Sequence, residues 1–223
     1  MGLKTSGRCF ICDKSFSKAG MTKHLKTHLK DDGSAKLFHI RVDGIYQPEY
    51  WLHIEIPAGA KLKELDQFLR DIWLECWGHL SAFEIDGVEY HSDTEGFYLE
   101  PVKGMDCPLK DVLGPSMEFS HRYDFGTTTE LRLKVISERK GRARRKERVR
   151  ILARNDPPEI TCECGKDAKW ICAICVEENM GEDCYFCNDC AEKHECGEEM
   201  LLPVVNSPRM GVCGYEGSDK YED

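Results

Sequence analysis

The sequence predicts an α+β protein, with a mostly antiparallel central sheet, one long helix and a small module at each end. Three observations support this prediction. Short runs in which apolar and polar residues alternate recur between residues 37 and 155, as in strands that bury one face. Apolar residues recur at helical spacing over residues 61–77. Eleven of the thirteen cysteines cluster near the two termini. We therefore expect three domains, over residues 1–30, 37–155 and 156–223.

The central domain is predicted from its strand and helix patterns. β-Branched and aromatic residues, bounded by turn residues, indicate strands over residues 37–42, 51–56, 118–125, 131–137 and 149–153. Asp86-Gly87 lies between two short apolar runs and predicts a tight hairpin over residues 83–90. The amphipathic helix 61–77 has one apolar face, which we expect to pack on the sheet.

Charge and cysteine content limit the class of protein. The net charge is −9, but residues 1–30 carry +6 and residues 139–155 carry +8. The acidic balance argues against a protein that coats nucleic acid, while the two basic islands are suited to local phosphate contacts. Long apolar runs and a secretory signal are absent from the sequence, which predicts a cytoplasmic protein without a membrane partner. Clustered cysteines in such a compartment indicate metal binding rather than disulfides.

The N-terminal module has the spacing of a Cys2His2 zinc finger. Cys9 and Cys12 are separated by two residues, and His24 and His28 by three. Two cysteines in a tight turn and two histidines on one face of a helix give four ligands in a tetrahedron. The segment is too short to fold on apolar burial alone, so we expect a ββα finger that zinc stabilises.

The side chains of the finger and of the second basic island decide whether the protein could contact nucleic acid. In this finger the base-reading positions of the helix fall on Ser17, Gly20 and Lys23, and Gly20 has no side chain with which to read a base. We therefore expect at most phosphate contacts without sequence preference. The candidates are Lys18, Lys23, Arg142, Arg144, Arg145 and Lys146. The alternative is that both islands are solvated surface charge.

The C-terminal module contains ten candidate ligands, which are Cys162, Cys164, Cys172, Cys175, Cys184, Cys187, Cys190, His194, Cys196 and Cys213. Two zinc ions need eight. The alternating pairs predict a cross-braced module of B-box or treble-clef type. One zinc is assigned to Cys162, Cys164, Cys187 and Cys190. The second is assigned to Cys172, Cys175 and two of His194, Cys196 and Cys213, which leaves Cys184 as the spare cysteine.

Residues 37–135 resemble the plasmid open-reading-frame-three-like family of insertion-element passenger proteins. The resemblance depends on residues 50–57, the helix 61–77, and residues 79–83, 87–90 and 123–126. The tail over residues 206–209 and 211–215 is similar to a zinc-bearing extension of some, often archaeal, members. The family has no assigned reaction, so the resemblance implies a fold and an association with mobile elements. Ser81 and residues 127–131 depart from the family pattern, which places histidines and carboxylates there.

These observations favour a binding function over catalysis. We expect a zinc-stabilised adaptor or regulatory protein that holds about three zinc ions and contacts nucleic acid or a protein partner, with no catalytic residues. The alternative is a hydrolase or transferase with a polar site around His79, Asp124 and Glu130. No nucleophile–base motif supports that alternative.

Overall fold

Ten strands form one large sheet that contains most of the regular structure of the protein. The computed structural model describes residues 5–95, 102–142, 148–179 and 181–221. The strands of this sheet are β1 (Ser6–Cys9), β2 (Ser15–Ser17), β3 (Ala35–Gly44), β4 (Trp51–Pro57), β5 (Ser81–Ile85), β6 (Val88–His91), β7 (Lys103–Gly104), β8 (Glu118–Tyr123), β9 (Thr129–Gly141) and β10 (Arg150–Asn155). Their order is β2-β1-β10-β4-β3-β9-β8-β5-β6-β7. The pairings are antiparallel except for β6 with β7, so the sheet is mixed.

The α+β class is confirmed, and so is the predicted hairpin, in which β5 pairs with β6. Asp86 and Gly87 both have positive φ, at 51° and 73°, as a two-residue hairpin turn of the primed type requires. The long helix is not confirmed. Helix α2 covers only Leu62–Leu69, and residues Arg70–Leu74 form a π-helical turn in which Glu75 N donates to Arg70 O. The apolar periodicity persists through this turn, so the sequence does not show where the α-helix ends.

The described chain divides into two compact units. The first comprises Met1–Leu69 and Leu80–Asp156, and the second comprises Arg70–His79 and Pro157–Asp223. The first contains the ten-stranded sheet and the helices α1 (Lys18–Leu25), α2 and α3 (Leu109–Val112). In the described part of the chain, the helices are all too short or too polar to cross a bilayer.

The second unit contains short elements only. A three-stranded sheet has β11 (Trp170–Cys172) at its centre, between β12 (Tyr185–Phe186) and β13 (Leu201–Pro203). Helix α4 (Ala173–Glu178) follows β11 directly, and one residue separates helix α5 (Asn188–Ala191) from the end of β12. The apolar cluster of this module includes three of its own cysteines, Cys172, Cys175 and Cys184. The two other buried members of this cluster are Ile171 and Leu202.

The N-terminal segment is continuous with the large sheet. Strand β1 pairs with β2 on one side and with β10 on the other, where Gly7 lies opposite Asn155. Met21 and Leu25 of α1 join one buried cluster with Trp51 and Leu152. The finger segment therefore shares its apolar core with strands β4 and β10.

We expect alanine at position 7 to weaken this junction. A Cβ at Gly7 would lie 2.5 Å from the Trp51 ring and would also clash with the Arg154 carbonyl oxygen. Overpacking of this kind costs on the order of 1–3 kcal/mol. Gly59→Ala is the matched control, because nothing lies within 4 Å of a Cβ there. Urea unfolding of both variants tests the prediction, and equal midpoints for the two would contradict it.

Candidate metal centres

The chain around the four finger ligands is built from two tight turns and a short helix. Cys9 ends β1, and Asp13, with φ at 58°, donates its N–H to the Cys9 carbonyl at 2.8 Å. Ser17 caps α1 by accepting a hydrogen bond from Gly20 N at 3.3 Å. Helix α1 ends at Leu25, so only His24 is helical, and His28 lies in the following turn, where its N–H donates to the Leu25 carbonyl. The expectation that both histidines lie on the helix is therefore wrong, although the turn keeps them together.

The ligand atoms of this finger tetrad (Cys9, Cys12, His24, His28) all lie within 4.8 Å of one another. His24 Nε2 is 3.2 Å from Cys12 Sγ and 3.1 Å from His28 Nε2. Zinc bonds of the usual length imply separations of about 3.4 Å between two nitrogens and about 3.5 Å between nitrogen and sulfur. One imidazole nitrogen that faces both a thiol and a second imidazole nitrogen points to a shared cation. The donor set therefore fits Zn²⁺.

Packing fixes the orientation of the finger tetrad. The Phe16 ring stacks on His24 with centroids 4.1 Å apart. Burial, followed by the charge of His28, lowers the pKa of His24, which favours the neutral imidazole that binds metal. Burial raises the pKa of the Cys9 thiol, so a cation is needed to hold it as a thiolate.

The first tail tetrad consists of Cys162, Cys164, Cys187 and Cys190, whose sulfur atoms lie within 4.8 Å of one another. Cys164 and Cys187 Sγ are 3.6 Å apart, against about 3.7 Å expected for two thiolates on one zinc. The backbone N–H groups of Cys164 and Cys187 lower the pKa of the Cys162 thiol to about 7. Hydrogen bonds with the neighbouring thiols raise the pKa of Cys190 to about 12. Four thiolates this close need a divalent cation, as a zinc site with four cysteine ligands provides.

The second tail tetrad consists of Cys172, Cys175, His194 and Cys196. Cys175 Sγ lies 3.5 Å from His194 Nε2 and 3.9 Å from Cys196 Sγ. The Phe186 ring packs on the His194 ring with centroids 4.2 Å apart. Burial is the largest cause that raises the pKa of Cys175, to about 12. The four ligand atoms lie within 4.8 Å of one another, which again fits zinc.

The two remaining candidate zinc ligands, Cys184 and Cys213, have different surroundings. Cys184 is fully buried, and its Sγ donates to the Gly181 carbonyl at 3.3 Å. Cys213 is not part of the second tail tetrad, where it was one of three candidates for two positions. It lies instead with Cys76 and His79, whose ligand atoms are within 4.8 Å of it and of each other. The sequence reasoning missed this group, although Cys76-x2-His79 has a spacing that suits two ligands of one metal.

The residues predicted to contact nucleic acid differ in their exposure and in their contacts within the protein. Lys18 Nζ forms an ion pair at 2.7 Å with Asp43 and donates to the Pro48 carbonyl. Lys23 is exposed on α1. Arg142 Nε donates to the Asp32 carbonyl at 3.1 Å. Three further candidates, Arg144, Arg145 and Lys146, lie outside the described residues.

The three residues of the alternative enzymatic site, Asp124, Glu130 and His79, form contacts within the protein. Asp124, at φ 63°, accepts hydrogen bonds from the N–H groups of Gly126 and Thr127 and so closes the turn after β8. Glu130 lies half-buried in β9 opposite Arg122. His79 Nε2 faces the sulfur of Cys213. These contacts account for Asp124 without a reaction.

Comparison with known proteins identifies the family of the chain. The solved structure of a protein of unknown function from Methanosarcina mazei Go1 has 19% identity and a TM-score of 0.43. The match covers 49% of this chain and 64% of that one, so this chain spans less than two thirds of its length. No protein among the curated sequences matches. The model of the plasmid pRiA4b ORF-3-like family matches residues 35–167, more than half of the sequence. The chain is therefore a member of the plasmid pRiA4b ORF-3-like family.

Proposed function

We propose that this protein is a zinc-stabilised binding protein that holds three structural zinc ions and contacts nucleic-acid phosphates through its finger segment. The observation that supports the zinc sites is the presence of three complete tetrads, each with four Cys or His ligand atoms within 4.8 Å. A zinc ion with four protein ligands has no open position for water or substrate, so such sites are structural. This favours an adaptor over an enzyme.

The finger segment supplies the phosphate contact. Lys14, Lys23, Lys26 and Lys30 are exposed, and no acidic side chain of the described residues forms an ion pair with them. Exposed lysines that are not held in an ion pair are available to replace the cations condensed around a nucleic acid. Of the three base-reading positions, Ser17 is occupied in capping α1 and Gly20 has no side chain, which leaves Lys23 alone, so we expect phosphate contacts without sequence preference.

The second basic island is a weaker candidate in its described part. Arg139 Nε and Nη2 donate to the Glu55 carboxylate at 2.6 and 2.9 Å, and Arg139 also pairs with Asp32. Arg148 pairs with Glu64 at 2.5 Å. These arginines line a cavity of about 310 Å³ together with Asp32 and Glu55. Nearby carboxylates reduce the attraction of this cavity for a phosphate.

Charge reversal of the finger lysines tests the phosphate contact. We expect the zinc-loaded full chain to bind duplex DNA of mixed sequence at low salt. The double variant Lys23→Glu/Lys26→Glu should remove about two phosphate contacts. Since each contact contributes about 0.9 to the slope of log K against log salt concentration, the slope should become shallower by about 1.8. The affinity should fall equally for DNA of different sequences. Fluorescence anisotropy at several salt concentrations measures both quantities.

The matched control is Lys103→Glu/Lys110→Glu, which makes the same change in net charge at two exposed lysines of the same compact unit, of which Lys103 lies on β7, at the opposite edge of the sheet from β2. We expect it to leave the salt slope unchanged. Equal slopes for the two double variants, or no binding by the wild type at low salt, would rule out phosphate contact by the finger. A protein partner would then be the remaining candidate for an adaptor.

A further inference from the structure

We propose that Cys76, His79 and Cys213 form a fourth metal site, with an open coordination position, for a thiophilic divalent cation such as Zn²⁺. The three residues are here named the Cys76 cluster. The proposal goes beyond the proposed function, which uses the three closed tetrads only. It is independent of DNA binding.

Two turns bring the Cys76 cluster together within the second compact unit. Cys76 and His79 follow the π-helical turn, and Gly78, at φ 71°, donates its N–H to the Glu75 carboxylate at 2.6 Å. This tight turn places two ligands three residues apart, as in the cysteine pairs of zinc sites. Cys213 approaches from the C-terminal segment. Its carbonyl accepts a hydrogen bond from Trp77 Nε1 at 3.2 Å, which ties the two segments together at the cluster.

The distances fit coordination of one ion. His79 Nε2 lies 3.3 Å from Cys213 Sγ, and the three ligand atoms lie within 4.8 Å of one another. A zinc ion bound to one imidazole and one thiolate holds their atoms about 3.5 Å apart. The second tail tetrad is complete without Cys213. Among the described residues, Cys213 therefore belongs to one group of candidate ligands, the Cys76 cluster.

A buried guanidinium contacts one sulfur of the cluster. Arg209 is fully buried, and its Nη2 lies 3.4 Å from Cys76 Sγ. The sulfur accepts this hydrogen bond, which fixes the position of one ligand of the cluster. The position of this buried cation is an observation independent of the ligand spacing.

Backbone strain also marks the cluster. Cys213 has φ at 50°, which is uncommon for a residue with a Cβ, and Gly214 follows at 66°. Strain of this kind persists where surrounding contacts fix the conformation, and it concentrates at functional sites. Here the left-handed backbone is the conformation in which Cys213 Sγ approaches His79.

The Cys76 cluster differs from the three tetrads in its open side. Among the described residues it offers three protein ligands, each of them half-buried, and the neighbouring Trp77 side chain is 76% exposed. Zinc with three protein ligands keeps its fourth position for water or another small ligand, and a donor set of two cysteines and one histidine is one of the known arrangements. The site is therefore suited to bind an exogenous ligand and to exchange its metal faster than the tetrads.

Cobalt loading of the purified full chain tests the proposal. We expect the reduced protein, with its tetrad zinc in place, to take up one equivalent of Co²⁺ and to develop thiolate-to-cobalt charge-transfer absorbance. Azide should then shift the visible cobalt bands, because an open position accepts it. His79→Ala and Cys213→Ser should each abolish the uptake, whereas Cys107→Ser, which changes a cysteine outside every group, should retain it.

The results separate this proposal from that of the three tetrads. Zinc analysis of His79→Ala should still return three equivalents, which also shows that the variant has kept its tetrads. Uptake of Co²⁺ by His79→Ala or Cys213→Ser equal to that of the wild type would overturn the fourth site, and so would no uptake by the wild type. A native disulfide between Cys76 and Cys213 would also overturn it. Loss of zinc from the tetrads in the wild type would instead contradict the proposed function.

Discussion

Serine at position 187 is expected to remove one equivalent of zinc and to unfold the C-terminal cysteine-rich module. Cys187 belongs to the first tail tetrad and is almost fully buried. Structural zinc contributes an apparent free energy of about 10–16 kcal/mol to the folding of small modules. The apolar cluster of this module includes metal ligands of the second tail tetrad, Cys172 and Cys175. Loss of zinc therefore also disturbs the buried members of this cluster, of which Ile171 and Leu202 alone are not cysteines.

The equivalent change in the finger tetrad should have a smaller effect on the fold. Cys12→Ser should also release one zinc, but α1 packs its Met21 and Leu25 against Trp51 and Leu152 of the large sheet. Strand β1 also keeps its hydrogen bonds to β10. The finger segment should therefore remain on the sheet with local loosening of the turn that carries Cys12.

Hydrogen exchange followed by mass spectrometry, together with zinc analysis, distinguishes these effects. We expect Cys187→Ser to lose protection over β11 and α4 and to keep it over β3 and β9. Cys184→Ser is the matched control in the same module, because a serine hydroxyl can also donate to the Gly181 carbonyl. Full protection of the module in Cys187→Ser, or equal zinc content in Cys187→Ser and wild type, would contradict a structural zinc there.

The sequence predicts local features of this protein better than its long-range contacts. The hairpin at Asp86-Gly87 and the grouping of cysteines at short spacing depend on neighbours in the chain. The pairing of Gly7 with Asn155, in contrast, joins residues that are far apart in the chain. The finger pattern therefore predicts an independent zinc module, and nothing in residues 1–30 reveals that Trp51 and Leu152 complete its apolar core.

The Cys76 cluster shows the same limit at a candidate site. Cys76 lies in the apolar periodicity of the predicted helix 61–77, which favours a buried apolar role for its side chain. The α-helix ends at Leu69, and the turn that follows leaves Cys76 half-buried beside His79. Cys213 lies far away in the sequence, so only the tertiary structure assigns it to this pair rather than to the second tail tetrad.

Acid is expected to destabilise the ten-stranded sheet through a buried histidine pair. His39 of β3 and His53 of β4 are almost fully buried, and His39 Nε2 lies 2.8 Å from His53 Nδ1. One nitrogen must donate and the other accept, so at least one ring is neutral. Burial lowers the pKa of His39 to about 4 and that of His53 to about 2, with smaller effects of Lys26 on His39 and of His39 and Arg41 on His53.

The sign of the pH dependence follows from these pKa values. In the unfolded chain both histidines take up protons near pH 6.5, whereas the folded chain resists this until about pH 4 or below. Between these limits the unfolded state binds more protons, so stability falls as the pH falls. Each histidine contributes up to about 1.4 kcal/mol per pH unit in this range, and above pH 6.5 neither contributes a slope.

A variant without the two titrating rings isolates this effect from acid loss of zinc. His39→Gln/His53→Gln keeps every ligand of the three tetrads, so any slope that arises from metal release is common to both proteins. The free energy of unfolding in urea, measured between pH 7 and 4.5, should fall more steeply in the wild type. Parallel curves would show that the pair is already protonated in the folded sheet.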